Sequence, residues 1–125
     1  MIHNLIIPGT LAGLNEYISK CNIHKLKGAE LKKKTEMLIS VHIRKQLRGV
    51  KISHPIIADF TWFEPNKKRD LDNISAGGKK FIFDALVKCG VLKGDGWAYV
   101  TGFTDNFYVD SDNPRIEVIL REIEP

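Results

Sequence analysis

Two segments of this sequence place apolar residues at every second position, which is the period of a β-strand with one buried face. The clearer segment spans residues 56–63, and the other spans residues 115–123. A short apolar run at residues 5–7, ended by a proline and a glycine, predicts an additional strand. We also predict a strand at residues 97–103, followed by a polar loop over residues 104–113.

Three other segments carry apolar residues at helical spacing. They predict helices over residues 11–20, 29–47 and 81–89. Gly77 and Gly78 directly precede the third helix, and each glycine costs a helix roughly 1 kcal/mol relative to alanine. The pair has two interpretations: a loop that delays the start of the helix, or a close approach of the backbone to a phosphate.

The predicted order, β-α-α-β-α-β-β, is typical of an α+β domain whose mixed or antiparallel sheet packs against helices. The length of 125 residues and the hydrophobic content of 43% suit one domain with a small core. We therefore expect residues 1–125 to form a single domain, to which a homodimer would add buried surface.

Charge narrows the class of partner. The formal net charge is +4, and cations cluster at residues 25–34 and 67–69, which favours nucleic acid. A solvated helix face is the alternative for the first cluster.

Cys21 and Cys89 lack a metal-binding spacing and suggest a reduced, cytoplasmic protein. We expect no export signal and no membrane segment.

The segment Lys67–Asn73 is the richest in chemistry, because three cations run directly into two carboxylates. In an extended or loop backbone, Asp70 and Asp72 would point the same way. Two converging carboxylates suit a divalent cation such as Mg²⁺, and the adjacent cations suit a phosphate backbone. The alternative is a polar turn before a helix, with Asp72 or Asn73 as its N-cap.

A third acid would complete a metal site. Asp95 lies in a glycine-flanked turn after the helix that follows Asp72, so a short helix and a tight turn would return it to Asp70. An ordinary turn aspartate is the alternative. Lys80 has two interpretations as well: it contacts a scissile phosphate, or it forms a helix-surface ion pair with Asp84.

These residues resemble the RusA family of Holliday junction resolvases. The resemblance covers most of the chain and is strongest between Asp70 and Asp95. The motifs that carry it are Arg69-Asp70-Leu71-Asp72-Asn73, Lys80, Asp84-Ala85-Leu86, Gly90-Val91, Asp95, Ile7-Pro8 and the closing Pro114–Val118 strand.

The resemblance implies a small, dimeric, Mg²⁺-dependent endonuclease that cuts four-way DNA junctions, with Mn²⁺ as a substitute. The family's metal-binding aspartates map onto Asp70, Asp72 and Asp95, and its functional lysine maps onto Lys80. Many members carry two acids where this chain has Gly94 and Asp95. Members are often carried by bacteriophages and prophages, which implies a bacterial cytoplasm.

The interpretation that follows is an endodeoxyribonuclease whose two-fold dimer nicks opposed strands of a nearly two-fold junction. The cations expected to bind the DNA backbone are Lys67, Lys68, Arg69, Lys79, Lys32, Lys33 and Lys34. Two alternatives stay open: a non-catalytic protein that binds branched DNA, and a metal-dependent phosphohydrolase of small phosphate esters.

Overall fold

The computed structural model describes residues 1–124 and contains seven elements in the predicted order. They are β1 (Ile2–Pro8), α1 (Leu14–Ile23), α2 (Lys25–Gln46), β2 (Ile56–Glu64), α3 (Leu71–Lys88), β3 (Val100–Val109) and β4 (Arg115–Glu122). The α+β class is therefore confirmed.

The four strands form one mixed sheet in the order β1-β4-β2-β3. β4 pairs antiparallel with both β1 and β2, whereas β3 pairs parallel with β2. The parallel pair follows from connectivity, because α3 carries the chain from the end of β2 back to the level at which β2 began. β3 is an edge strand of this sheet.

The core lies on one face of the sheet. Alternate residues of β2, including Phe60 and Trp62, are fully or almost fully buried there, together with Ile39 from α2 and Phe81 from α3. The intervening residues of β2 face the other way and remain partly exposed. The sheet therefore has one face packed on helices and one open face.

Helix α3 begins ten residues earlier than predicted, so both interpretations of the glycine pair are wrong. Gly77 and Gly78 lie inside the helix and are buried. A Cβ at Gly78 would lie 2.5 Å from the indole ring of Trp62, and one at Gly77 would lie 2.6 Å from the backbone nitrogen of Leu14. The two glycines let α3 pack closely against β2 and against the start of α1, which offsets their low helix propensity.

Strand β3 also differs from the prediction. It begins at Val100 and continues to Val109, through most of the segment predicted to be a polar loop. Its parallel ladder with β2 extends from Ile56 to Glu64, and this pairing overrides the polar composition of residues 104–106.

Candidate site at the start of helix α3

Arg69 is held by contacts within the protein. Its guanidinium donates two hydrogen bonds to the carboxylate of Glu64, at 3.0 and 2.9 Å, and a third to the carbonyl oxygen of Leu11, at 2.8 Å. Bidentate arginine–carboxylate pairs fix geometry well. Arg69 therefore joins the end of β2 to the segment before α1, and its role in this structure is structural.

Asn73 joins the same elements from the first turn of α3. Its side-chain oxygen accepts a 2.7 Å hydrogen bond from the backbone N–H of Asn15, near the start of α1. Gly13 is the N-cap residue of α1 and has no side chain to do this. In α3 itself, Asp70 occupies the N-cap position. The prediction that Asp72 or Asn73 would be the N-cap of this helix is therefore wrong.

The carboxylates of Asp70 and Asp72 are both exposed and lie at the N-terminus of α3. Asp70 has the backbone of an N-cap residue, yet its side chain makes no capping hydrogen bond. Among the described residues, the carboxylate of Asp72 accepts a single hydrogen bond, from the backbone N–H of its neighbour Asn73 at 2.9 Å. Neither carboxylate forms an ion pair within residues 1–124. The two acids are therefore available to a cation from solvent. The prediction of an extended or loop backbone between them is wrong, because α3 begins at Leu71.

Asp95 lies at the other end of α3. The helix has 18 residues, which span about 27 Å at 1.5 Å per residue. The loop that holds Asp95 lies against the segment before β2, through hydrogen bonds from Ile52 N–H to Val91 and from Ile56 N–H to Tyr99. Asp70 instead follows the end of β2, so the two aspartates lie at opposite ends of this strand. The chain does not return Asp95 to Asp70, because the helix between them is long rather than short.

The three aspartates of one copy do not form a common site for Mg²⁺. Across residues 1–124, no group of three or more histidine, cysteine, aspartate or glutamate side chains could hold a metal ion. Asp70 and Asp72 supply two oxygen ligands at one end of α3, whereas a Mg²⁺ site in a protein is completed by further ligands or water.

Two neighbouring lysines of α3, Lys79 and Lys80, differ in their surroundings. The ammonium group of Lys79 lies 2.6 Å from the Asp105 carboxylate and 3.8 Å from the ring centre of Phe103, and its side chain is only 14% exposed. It is thus engaged inside the protein, contrary to its expected role in binding DNA. Lys80 is exposed. The alternative ion pair between Lys80 and Asp84 is not present among the described residues, and Asp84 pairs with Lys32 at 3.5 Å instead.

The remaining predicted cations fall into two groups. Lys67 and Lys68 are exposed in the connection between β2 and α3, with Arg69 between them and Asp70. Lys33 and Lys34 are exposed on α2, and Lys34 lines a cavity of about 700 Å³ together with Arg69. One lysine of the α2 cluster therefore lies close to the segment that carries Asp70.

Sequence reasoning missed a cavity of about 570 Å³ beside Asp70. Its walls include Lys67 and Asp70, from the connection between β2 and α3, and Phe107 and Tyr108, from the end of β3. The aromatic residues were predicted to lie in a polar loop, so nothing indicated that they would approach the acids. The β-propensity of Phe103, Phe107, Tyr108 and Val109 was the available signal for a longer strand.

Comparison of the chain with protein-family models matches no family, and comparison with curated proteins finds no relative. Over residues 1–124, none of the helices is long and apolar enough to cross a membrane.

Proposed function

We propose that this protein is a divalent-cation-dependent endodeoxyribonuclease of the RusA type that acts on four-way DNA junctions. The observation that carries the proposal is the exposed pair Asp70 and Asp72, which forms no ion pair in the described chain. The pair is separated from the exposed Lys67 and Lys68 by Arg69 alone. Acids that bind a cation, next to cations that bind phosphate, are the parts that phosphodiester cleavage requires.

The surroundings of this pair support the proposal. Within the same five-residue motif, Arg69 and Asn73 are fixed by hydrogen bonds to Glu64, Leu11 and Asn15. These contacts tie the start of α3 to the end of β2 and to the start of α1. The two carboxylates therefore project from a rigid framework, as precise positioning of a reacting group demands.

The separation of Asp95 from Asp70 and Asp72 affects the oligomeric state that we propose. Since α3 separates them within one copy, a site with all three aspartates needs Asp95 from a second copy. A two-fold dimer would then hold two such sites, each for Mg²⁺ or Mn²⁺. This suits a substrate with two opposed strands to be cut.

The exposed lysines complete the proposal. Lys80 is the candidate for electrostatic help at the scissile phosphate. Lys67 and Lys68, with Lys33 and Lys34 on α2, are the candidates for flanking phosphates. Lys32, Arg69 and Lys79 are less suited to that role, because each is paired with an acid. Such an enzyme acts on intracellular DNA, so the proposed setting is a bacterial cytoplasm and a phage or prophage gene.

A second candidate is a protein that binds branched DNA without cutting it. The observation that favours it is the same separation of Asp95 from Asp70, since a single copy lacks a three-acid site. This protein would keep the exposed lysines and would bind junctions with equal affinity whether or not a divalent cation is present.

The decisive experiment incubates the protein with a synthetic four-way junction, with and without Mg²⁺, and resolves the strands on a denaturing gel. The enzyme predicts symmetric, Mg²⁺-dependent nicks, and Asp70→Asn and Asp95→Asn should each abolish them without abolishing binding. Binding without nicks in Mg²⁺ and in Mn²⁺ supports the second candidate. A small phosphate diester in place of DNA tests for a phosphohydrolase of small esters.

Mixing inactive variants tests the shared site. An Asp70→Asn copy paired with an Asp95→Asn copy retains one complete site, so the mixture should regain nicking. The matched control mixes Asp70→Asn with Asp72→Asn, which leaves no complete site and should stay inactive. Equal inactivity of both mixtures, with an active wild type, would show that each copy builds its own site.

A further inference from the structure

A row of three stacked side chains crosses the open face of the sheet. Phe63 on β2 pairs in register with Tyr108 on β3 and with Arg115 on β4. The rings of Phe63 and Tyr108 are stacked, with centroids 5.6 Å apart and planes inclined by 24°. The guanidinium carbon of Arg115 lies 3.7 Å from the ring centre of Phe63. The row therefore runs Arg115, Phe63, Tyr108 towards the edge of the sheet.

Tyr108 ends this row with one ring face uncovered by the sheet. β3 is an edge strand, and β2 is the only strand in the described chain that pairs with it. Phe63 covers the side of the Tyr108 ring that faces β2, and 57% of Tyr108 is exposed. A flat aromatic group added beyond Tyr108 would continue the stack.

The free end of the row lies at the end of β3 that borders the candidate site, although the row is on the open face of the sheet and α3 packs on the other face. Tyr108 lines the same cavity of about 570 Å³ as Lys67 and Asp70. Lys67 is exposed and can bind a phosphate. An aromatic surface for a base and a cation for a phosphate, both at this end of the sheet, match the two parts of a nucleotide.

We infer that Tyr108 is a stacking site for one unpaired nucleobase of the DNA, whose adjoining phosphate lies on Lys67. The inference rests on the proposed function and adds to it a specific contact with a base that has left its stack. Stacking on an aromatic ring is tolerant of sequence, since every base offers a π-face. Tyr108 would therefore favour a junction, where bases near the crossover unstack more readily, over a continuous duplex.

Cross-strand aromatic pairs also stabilise sheets without binding anything, so the test must separate the two roles. The probe is a synthetic four-way junction with 5-iodo-2′-deoxyuridine in place of thymidine beside the crossover, bound in Ca²⁺ to suppress cutting. Irradiation cross-links this base to an aromatic ring stacked on it, and mass spectrometry identifies the residue. Affinity for the same junction is measured for Tyr108→Leu and Tyr108→Phe.

The inference predicts a cross-link at Tyr108. It also predicts a loss of affinity of about 5- to 150-fold in Tyr108→Leu, which corresponds to one stacked base, and near-normal affinity in Tyr108→Phe. The control is Phe103→Leu. Phe103 is an exposed aromatic residue on the same strand that does not line the cavity, and this variant should bind like the wild type.

Four results would overturn the inference. Wild-type affinity in Tyr108→Leu, or a cross-link only at other residues, would refute the stacking site and leave the nuclease proposal intact. Sedimentation of Tyr108→Leu as a monomer, where the wild type is a dimer, would assign the edge to a second copy instead. Failure of the wild type to bind any junction would refute the proposed function and this inference together.

Discussion

The side chain of Asn73 accepts a hydrogen bond of 2.7 Å from the backbone N–H of Asn15, so a residue of α3 caps the N-terminus of α1. The first N–H groups of a helix have no partner within it, and a side-chain oxygen usually supplies one from the N-cap position. Here the N-cap residue is Gly13, and a Cβ at that position would lie within 3 Å of Asn73. The capping contact therefore joins two helices.

Asn73→Ala should lower the free energy of unfolding by about 1 kcal/mol, the usual cost of losing a capping side chain. Asn73→Asp is the matched control, since it keeps the oxygen acceptor and adds a negative charge that the helix N-terminus favours. Urea unfolding of the three proteins measures both effects. Equal stability of Asn73→Ala and the wild type would show that solvent satisfies the Asn15 amide equally well.

Gly78→Ala should destabilise the protein even though alanine is the better helix former. The added methyl group would overlap the indole of Trp62, and overpacking of a core costs typically 1–3 kcal/mol, more than the roughly 1 kcal/mol gained in helix propensity. Gly96→Ala is the control, because a Cβ there meets no atom within 4 Å. A higher melting temperature for Gly78→Ala would mean that α3 can move off the sheet without loss.

Lys79→Met and Lys80→Met should affect different properties. Lys79→Met leaves the largely buried Asp105 without its cation, so we expect a loss of roughly 1–3 kcal/mol in unfolding free energy. Lys80→Met should change stability by less than about 0.5 kcal/mol. Under the proposed function, it should lower junction cleavage by roughly 100-fold. Chemical unfolding and single-turnover cleavage of both variants separate a role in stability from a role in cleavage. A Lys79→Met protein as stable as the wild type would contradict the structural role of Lys79.

The ion pair of Asp59 with Arg121 should make stability depend on acid pH. The hydrogen bond from Arg121, at 2.6 Å, holds the pKa of Asp59 below its ordinary value of 3.8; partial burial opposes this shift, and a hydrogen bond from Thr104 adds to it. A carboxyl whose pKa is lower in the folded state stabilises the fold above its unfolded pKa. That contribution is lost as the pH falls through the folded pKa.

Asp59→Asn should therefore be less stable than the wild type at neutral pH, by at most about 1 kcal/mol because the pair is partly solvated. The difference should shrink as the pH is lowered below the ordinary aspartate range. Asp112→Asn removes the same charge from an exposed turn and serves as the control. If the difference in stability between Asp59→Asn and the wild type stayed constant down to strongly acidic pH, the charge of Asp59 would not be its source.

The sequence by itself was enough for the number, order and type of the elements. Alternation in residues 56–63 and 115–123 places β2 and β4 within one residue of their observed bounds, because a strand with one buried face repeats every second residue. The α+β class follows from that order.

Only the tertiary structure decided how the motif Arg69–Asn73 is used. Nothing local to the sequence tells an arginine bound to Glu64 and Leu11 from one that faces DNA, or an asparagine that caps another helix from one that caps its own. Those partners are up to 58 residues away in the chain. The same limit applies to Gly78, whose role depends on the indole of Trp62 across the core.

The position of Asp95 shows the limit most clearly. Local propensity counted Gly77 and Gly78 against a helix, so the sequence predicted a short α3 and an aspartate returning to Asp70. Burial of the helix against β2 outweighs that propensity and extends α3 to 18 residues, which moves Asp95 to the far end. Residue types that suit a cation can be read from sequence, but the distance between them depends on long-range packing.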